Sequence, residues 1–359
     1  MDEIIDLTQA LIRFKSMHSN PEEIVRCADF IETYLKDCEA EYRRLDHQGT
    51  PSLRVLPKAG FCPVLFMSHI DVVEGSDDLF VPRIEDGRLY GRGSLDDKYA
   101  VALSLTLLKD SLEKLRASGG GQEDLPFGIL ITGDEEVGGY HGAENALKKI
   151  QADFCIALDG GGLKKIVVKE KGLLTLKLIS KGKAAHGARP WLGENAIVKL
   201  FEDYRKLSSL FQSSSLDHWH RTLNFGIVQG GKSHNQVPDH AEAVLDIRYT
   251  ENDDVDALIE EMQREIQGKL VVEEKEPLFH GGNSPYLDLL LEIAGDTQVG
   301  FEHGASDARF LSAYGIKGIV WGADGDESQH SQSEHVNIAS LTTFYGYLSS
   351  FIEAVSKMK

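Results

Sequence analysis

Apolar residues recur along this chain in distinct rhythms, and the rhythm changes twice. Ile4, Ile5, Leu7, Leu11 and Ile12 fall at helical spacing across residues 3–14, the pattern of an amphipathic helix. Asn20-Pro21-Glu22-Glu23 reads as the start of a second helix: a capping Asn, Pro at the first helical position, then acids against the dipole. Continuous apolar runs at 63–67, 127–132 and 154–158 predict strands buried on both faces. Between the first two runs the chain predicts a hairpin around the Asp-Gly pair of 85–90, a long helix over 99–115 and a surface loop at 118–124. Strands alternating with helices imply an α/β domain, a mostly parallel sheet flanked by helices.

Near residue 172 the rhythm becomes strict alternation over 174–179, the mark of a sheet with one wet face. A helix over 194–211, strands at 223–228 and 241–249, a helix over 255–267 and a strand at 270–272 follow. Strand-helix-strand-strand-helix-strand is the order of a ferredoxin-like α+β sandwich. After Gly281-Gly282 the buried α/β character returns, with a strand at 319–321 and a closing helix over 338–355. The expected organisation is therefore an insertion: residues 1–172 and 282–359 form one domain, and 173–281 a second one set into it. A length of 359 residues suits two cores better than one.

Charge and cysteine usage narrow the function classes. A net charge of −19 disfavours nucleic acid and anionic membranes as partners, although a solvated surface alone also produces it. Cys27, Cys38, Cys62 and Cys155 have no metal-finger or C-x-x-C spacing and read as small buried hydrophobes in a reducing compartment. The acidic start Met-Asp-Glu-Ile-Ile-Asp is unlike a signal peptide, and no apolar run approaches the roughly 20 residues that span a bilayer. A cytoplasmic location is expected.

The candidate chemistry lies where the apolar runs end. His69 and Asp71 alternate after the 63–67 run, so both side chains fall on one side of the strand. Asp96-Asp97-Lys98 follows a glycine-rich turn and opens a helix, and Asp134-Glu135-Glu136 follows the 127–132 run. Asp159 ends another run, before Gly160-Gly161-Gly162, which is no dinucleotide fingerprint because a strand-like segment follows. Singly, each motif has a plain alternative: a satisfied His–Asp pair, a capping Asp, a solvated acidic loop. Together they place carboxylates and imidazoles beyond the carboxyl ends of strands, where α/β sheets gather their ligands. Two divalent cations would offset the desolvation of those groups.

In this order the motifs resemble the dinuclear zinc aminoacylase and exopeptidase family of acetylornithine deacetylase, succinyl-diaminopimelate desuccinylase and carboxypeptidase G. The resemblance implies His69, Asp96, Glu136 and Asp159 as metal ligands, Asp96 bridging and followed by a cis peptide, Asp71 orienting His69, and Glu135 as general base. Its final ligand is a His with Glu four residues on, which selects His330 (with Glu334) over His335, taken as a surface alternative. Lys183-Ala-Ala-His186-Gly resembles a lid motif whose His reaches the partner subunit's active site, although His186 reads equally well as an exposed loop residue. Asn235, Arg248, Gly304 and Ser306 match substrate-side segments. The implied protein is a homodimer with two Zn²⁺ per subunit, or Co²⁺ or Mn²⁺, and an inserted lid/dimerisation domain. It would remove the acyl group from an N-acyl amino acid, with exopeptidase or dipeptidase action on a short peptide as the alternative. Tyr99 stands where the family commonly has Gly, which is expected to reshape the pocket.

Overall fold

The computed structural model describes residues 1–58, 60–160 and 162–358. The chain divides into two compact units, Met1–Lys169 with His280–Glu302 and Ser306–Lys359, and Glu170–Phe279 with His303–Ala305. It is a two-domain α/β architecture.

In the larger unit, four parallel strands form the middle of a mixed sheet, in the order Phe127–Thr132, Phe61–His69, Gln151–Ala157, Lys317–Val320. Their burial on both faces follows from composition: Val64, Leu65, Phe66, Ile129, Leu130 and Ile156 are all buried. Helices Asp2–Ile12, Pro21–Asp37, Lys98–Ala117, Pro285–Ala294 and Ile338–Val355 contribute the apolar faces that cover the sheet. Pro21 follows the N-cap Asn20, as the sequence implied, but the Asn side chain makes no capping bond.

The sheet is more mixed than expected. Arg43–His47 and Thr50–Val55 form an antiparallel hairpin that joins Phe127–Thr132 at one edge. Its turn places Gln48 and Gly49 at φ of 51° and 86°, the left-handed pair that a two-residue hairpin needs. The hairpin predicted around Asp86-Gly87 is present, Arg83–Glu85 pairing with Arg88–Tyr90.

The smaller unit is a four-stranded antiparallel sheet ordered Thr222–Gly230, His240–Tyr249, Gly172–Lys181, Lys269–Glu276. Helices Ala196–Ser208 and Val255–Glu265 complete it. Alternation does the sorting: Leu174, Leu176 and Leu178 are buried against Leu200, Leu207, Leu258 and Met262. Asn195 caps the first helix by accepting from the N–H groups of Ile197 and Val198. Cys27, Cys62 and Cys155 are buried thiols and Cys38 is half-buried, all four unbridged. No described helix is long and apolar enough to cross a membrane.

Candidate metal centre

Three neighbouring parallel strands end on the same side of the larger unit's sheet, and each end delivers a reactive side chain. His69 is the last residue of its strand. Glu135 and Glu136 lie in a tight 3-10 turn just beyond Phe127–Thr132, and Asp159 lies just beyond Gln151–Ala157. Asp96 precedes helix Lys98–Ala117, with a cis peptide to Asp97. His330 comes from the loop after strand Lys317–Val320.

These side chains converge on Asp96. Its Oδ1 is 2.9 Å from His69 Nε2 and its Oδ2 is 3.0 Å from His330 Nε2, which is 3.3 Å from Glu136 Oε2. Two overlapping groups result: His69, Asp96 and Asp159, and Asp96, Glu136 and His330, with the ligand atoms of each group within 4.8 Å of one another.

The electrostatics show that the groups fit cations. Asp96 and then Glu136 push the His330 imidazole up to about 10. Burial works against charge on His69, yet Asp71 and Asp96 outweigh it and hold the ring well above its ordinary value. Burial would raise the Asp96 carboxyl, but His330 and His69 hold it below the usual range. Imidazolium protons thus sit where positive charge is demanded. A donor set of imidazole nitrogen and carboxylate oxygen suits borderline divalent cations.

Glu135 belongs to neither group. It lines a small cleft together with His69, Asp159, Ser306 and Asp307. Burial and then the neighbouring Asp159 raise its carboxyl well above the ordinary range, so it holds a proton more readily than a solvated glutamate does.

Asp71 does more than the sequence assigned to it. His69 Nδ1 is 3.0 Å from the Asp71 carbonyl oxygen and 3.4 Å from its carboxylate. That carboxylate accepts the backbone N–H groups of Glu135 at 3.2 Å and Glu136 at 2.9 Å. One buried anion therefore sets the ring of a ligand and the backbone of the 135–136 turn.

The sequence pattern marked Glu334 but not the contacts that it and its neighbours make. Glu334 Oε1 accepts from the N–H groups of Gly93, Leu95 and Asp96 at 2.8, 3.2 and 3.3 Å, and its other oxygen pairs with buried Arg92. Arg92 also donates to the carbonyls of Glu74 and His330, so the pair ties the Asp96 turn to the His330 loop. Gly93, at φ +84°, could carry no side chain there, because a Cβ would lie 2.8 Å from Lys98 Cδ. Lys98 is fully buried and donates to the Phe14 carbonyl at 2.8 Å; burial lowers its amine to about 8. In the sequence, Arg92 is marked only by its flanking glycines.

Two expectations need correcting. Tyr99 is wholly buried and does not line the cleft. Its hydroxyl donates to the Leu158 carbonyl and accepts from the Ala323 N–H, both at 2.9 Å, so it braces the backbone beside Asp159. His335 is not a surface residue: it is 5 % exposed, with Nδ1 on the Ser333 carbonyl and Nε2 on Asp326. Its own strand, His335–Asn337, turns it inward.

In the smaller unit, His186 is exposed on a two-residue ladder, Ala185–His186 against Gln236–Val237. Its Nδ1 accepts the Ala188 N–H at 3.1 Å, which leaves the neutral ring's proton on Nε2. Asn235 is exposed and accepts the Ser233 hydroxyl, and Arg248 pairs with Asp246 at 3.0 and 3.3 Å. Gly304 belongs to this unit. Ser306 belongs to the larger one, where it is buried and caps the turn Asp307–Tyr314. Of the triple glycine after Asp159, Gly161 lies outside the described residues.

Paired carboxylate–imidazole groups sharing one ligand at the strand ends of an α/β sheet, with a separate glutamate beside them, define a dinuclear metal-dependent hydrolase of amide bonds. Residues 65–354 match peptidase family M20/M25/M40, and the chain belongs to that family. It is 28 % identical to a succinyl-diaminopimelate desuccinylase from Wolbachia pipientis subsp. Culex pipiens, over 97 % of this chain and 92 % of that one. Among solved structures it resembles the metallo-carboxypeptidase Sso-CP2 of Sulfolobus solfataricus, with TM-score 0.81, 20 % identity and full coverage of both chains (100 % each). A tripeptidase from Staphylococcus aureus gives TM-score 0.80 at 20 % identity, with 99 % of each chain covered.

Proposed function

We propose that this chain is an exopeptidase that hydrolyses short peptides and carries two Zn²⁺ per subunit, with Co²⁺ or Mn²⁺ as substitutes. The observation that carries this reading is Asp307. Its carboxyl is buried on the wall of the Glu135 cleft and lies outside both ligand groups. Its Oδ1 has no hydrogen-bond partner among the described residues, and Arg309 comes no nearer than 4.0 Å. Burial raises this carboxyl to about 7. A free α-ammonium group on the amino-terminal half of a peptide would satisfy it, whereas the acyl half of an N-acylated amino acid offers no cation there. The tripeptidase and metallo-carboxypeptidase among the structural relatives support the same reading.

Deacylation of an N-acyl amino acid, the first expectation from the sequence, is the second reading, favoured by the likeness to the desuccinylase. It shares all the residue roles that follow.

His69, Asp96 and Asp159 would hold one cation, and Asp96, Glu136 and His330 the other. When bound, the cations supply Lewis-acid polarisation of the scissile carbonyl and lower the pKa of the attacking water. Glu135 takes the proton from that water and returns it to the leaving amine, a shuttle that its raised proton affinity suits. The partner subunit's His186 is the donor to the carbonyl oxygen as negative charge grows there, because Nε2 carries its proton. Arg248 and Asn235 hold the substrate's free carboxylate and backbone, and Gly304 and Ser306 flank it.

The smaller unit, whose βαββαβ order is ferredoxin-like, serves as lid and dimerisation domain in this reading. Exposed Val198, Phe201, Ile227 and Val228 supply an apolar surface for a homodimer. The test is a panel of di- and tripeptides against N-acetyl and N-succinyl amino acids, each with Zn²⁺, Co²⁺ and Mn²⁺. Free-amine peptides are expected to be the preferred class; turnover confined to N-acyl amino acids would replace this reading with the second.

A further inference from the structure

We propose that His18 is a positioning residue for hydrolysis: its imidazole N–H, donated to Asp71, fixes the carboxylate that holds the backbone of Glu135 and Glu136. His18 Nε2 lies 3.0 Å from Asp71 Oδ2, the oxygen that also accepts the Glu136 N–H at 2.9 Å. Asp71 is completely buried, and both of its carboxylate oxygens accept hydrogen bonds. A buried anion of this kind needs donors on each oxygen. The described partners of its carboxylate are the two backbone N–H groups, His69 at 3.4 Å and His18. Of the two imidazoles, His18 makes the shorter bond to the carboxylate.

The segment carrying His18 is built for this approach. After helix Asp2–Ile12 the chain runs alongside residues 70–74 and is pinned on both sides of position 18. The Ser16 hydroxyl donates to the Ile70 carbonyl at 2.6 Å, and the Val72 N–H donates to the Ser16 carbonyl at 3.1 Å. The Ser19 hydroxyl donates to Glu74 at 2.9 Å. His18 is thereby delivered from outside the ligand groups to a carboxylate that touches the base's own backbone. Its side chain remains 30 % exposed, more than a packing residue needs. A rotation of Asp71 would shift Glu135 and Glu136 together, so the loss should appear in the chemical step more than in substrate binding.

The experiment compares His18→Leu with His18→Gln in the metal-loaded, full-length enzyme, on whichever amide substrate the panel above identifies. His18→Leu is expected to lower kcat roughly 10- to 100-fold, with KM within about twofold. His18→Gln keeps an N–H donor and is expected to recover most of the loss. In an Asp71→Asn background, His18→Leu should add nothing further, because the two act as one unit. A His18→Leu kcat within twofold of the parent, a Gln variant as impaired as Leu, or an additive double variant would each overturn the proposal. Should His18→Leu not accumulate as folded protein, His18→Asn, whose amide falls short of Asp71, takes its place under the same criteria. These outcomes do not depend on whether peptides or N-acyl amino acids are the substrate.

Discussion

Replacing Glu334 by Ala removes a carboxylate that touches no substrate and yet holds the centre together. Its side chain is fully buried, as is nearly all of Arg92, its ion-pair partner. Truncation strands the Arg92 guanidinium in the interior, and breaking a buried pair from one side costs about 3–5 kcal/mol. It also deprives the N–H groups of Gly93, Leu95 and Asp96 of their shared acceptor, and each unsatisfied buried donor adds about 1 kcal/mol or more. The expected destabilisation is therefore about 6–8 kcal/mol, a fall in melting temperature of roughly 12–30 °C for a unit of this size. Glu334→Gln keeps an acceptor for the three N–H groups but loses the charge, and should fall between Ala and the parent. Thermal and denaturant unfolding of the metal-free protein measure this, so that lost cation binding does not enter. A Glu334→Ala variant destabilised by less than about 1 kcal/mol would refute the reasoning, since it would mean that water satisfies both Arg92 and the turn.

Two further outcomes follow from the same geometry. Glu135→Ala removes a group outside both ligand sets; it should retain two cations by elemental analysis while turnover falls by about 10²–10⁴, and substantial residual hydrolysis would remove Glu135 from its role. Cation uptake by the metal-free protein should expel protons, because His69 and His330 both titrate above their ordinary value there and imidazole must be neutral to bind metal. Calorimetry near pH 7.5 in buffers of different ionisation enthalpy should count about two protons per chain, and none would contradict the assignment. The sign for stability agrees: in the metal-free chain these raised histidines stabilise most below about 6.5, and that contribution is lost as pH climbs through the folded value of about 10 for His330.

What the sequence disclosed depended on whether a feature was local. Burial on both faces made the strands around Leu65, Leu130 and Ile156 readable as apolar runs, because that composition has few other solutions. In the smaller unit, the alternation of Leu174, Leu176 and Leu178 with half-buried residues carried the same information at a different period. The Arg43–His47 edge strand escaped notice because it lies at a sheet margin, where polar side chains satisfy the fold. Position at a strand end marked His69, Glu135, Glu136 and Asp159, and the structure brings the first, third and fourth of these together with Asp96 and His330. Asp71 and Glu334 were marked by the motifs, but the partners they would take were not readable. Arg92 and Glu334 meet across 242 residues, and His18 and Asp71 across 53; no periodicity encodes a partner that distant. Tyr99 misled for a related reason: a bulky residue in a glycine's place implies a changed pocket, but the chain directs it between two backbone segments instead.

Because Asp96 serves both ligand groups, the two ions cannot load as independent events. The first arrival fixes the orientation of a carboxylate that the second also requires, and it withdraws part of that carboxylate's charge. The effect of one ion on the other's affinity is necessarily mutual and equal in free energy. A titration of the stripped protein should therefore depart from a curve for two unrelated sites.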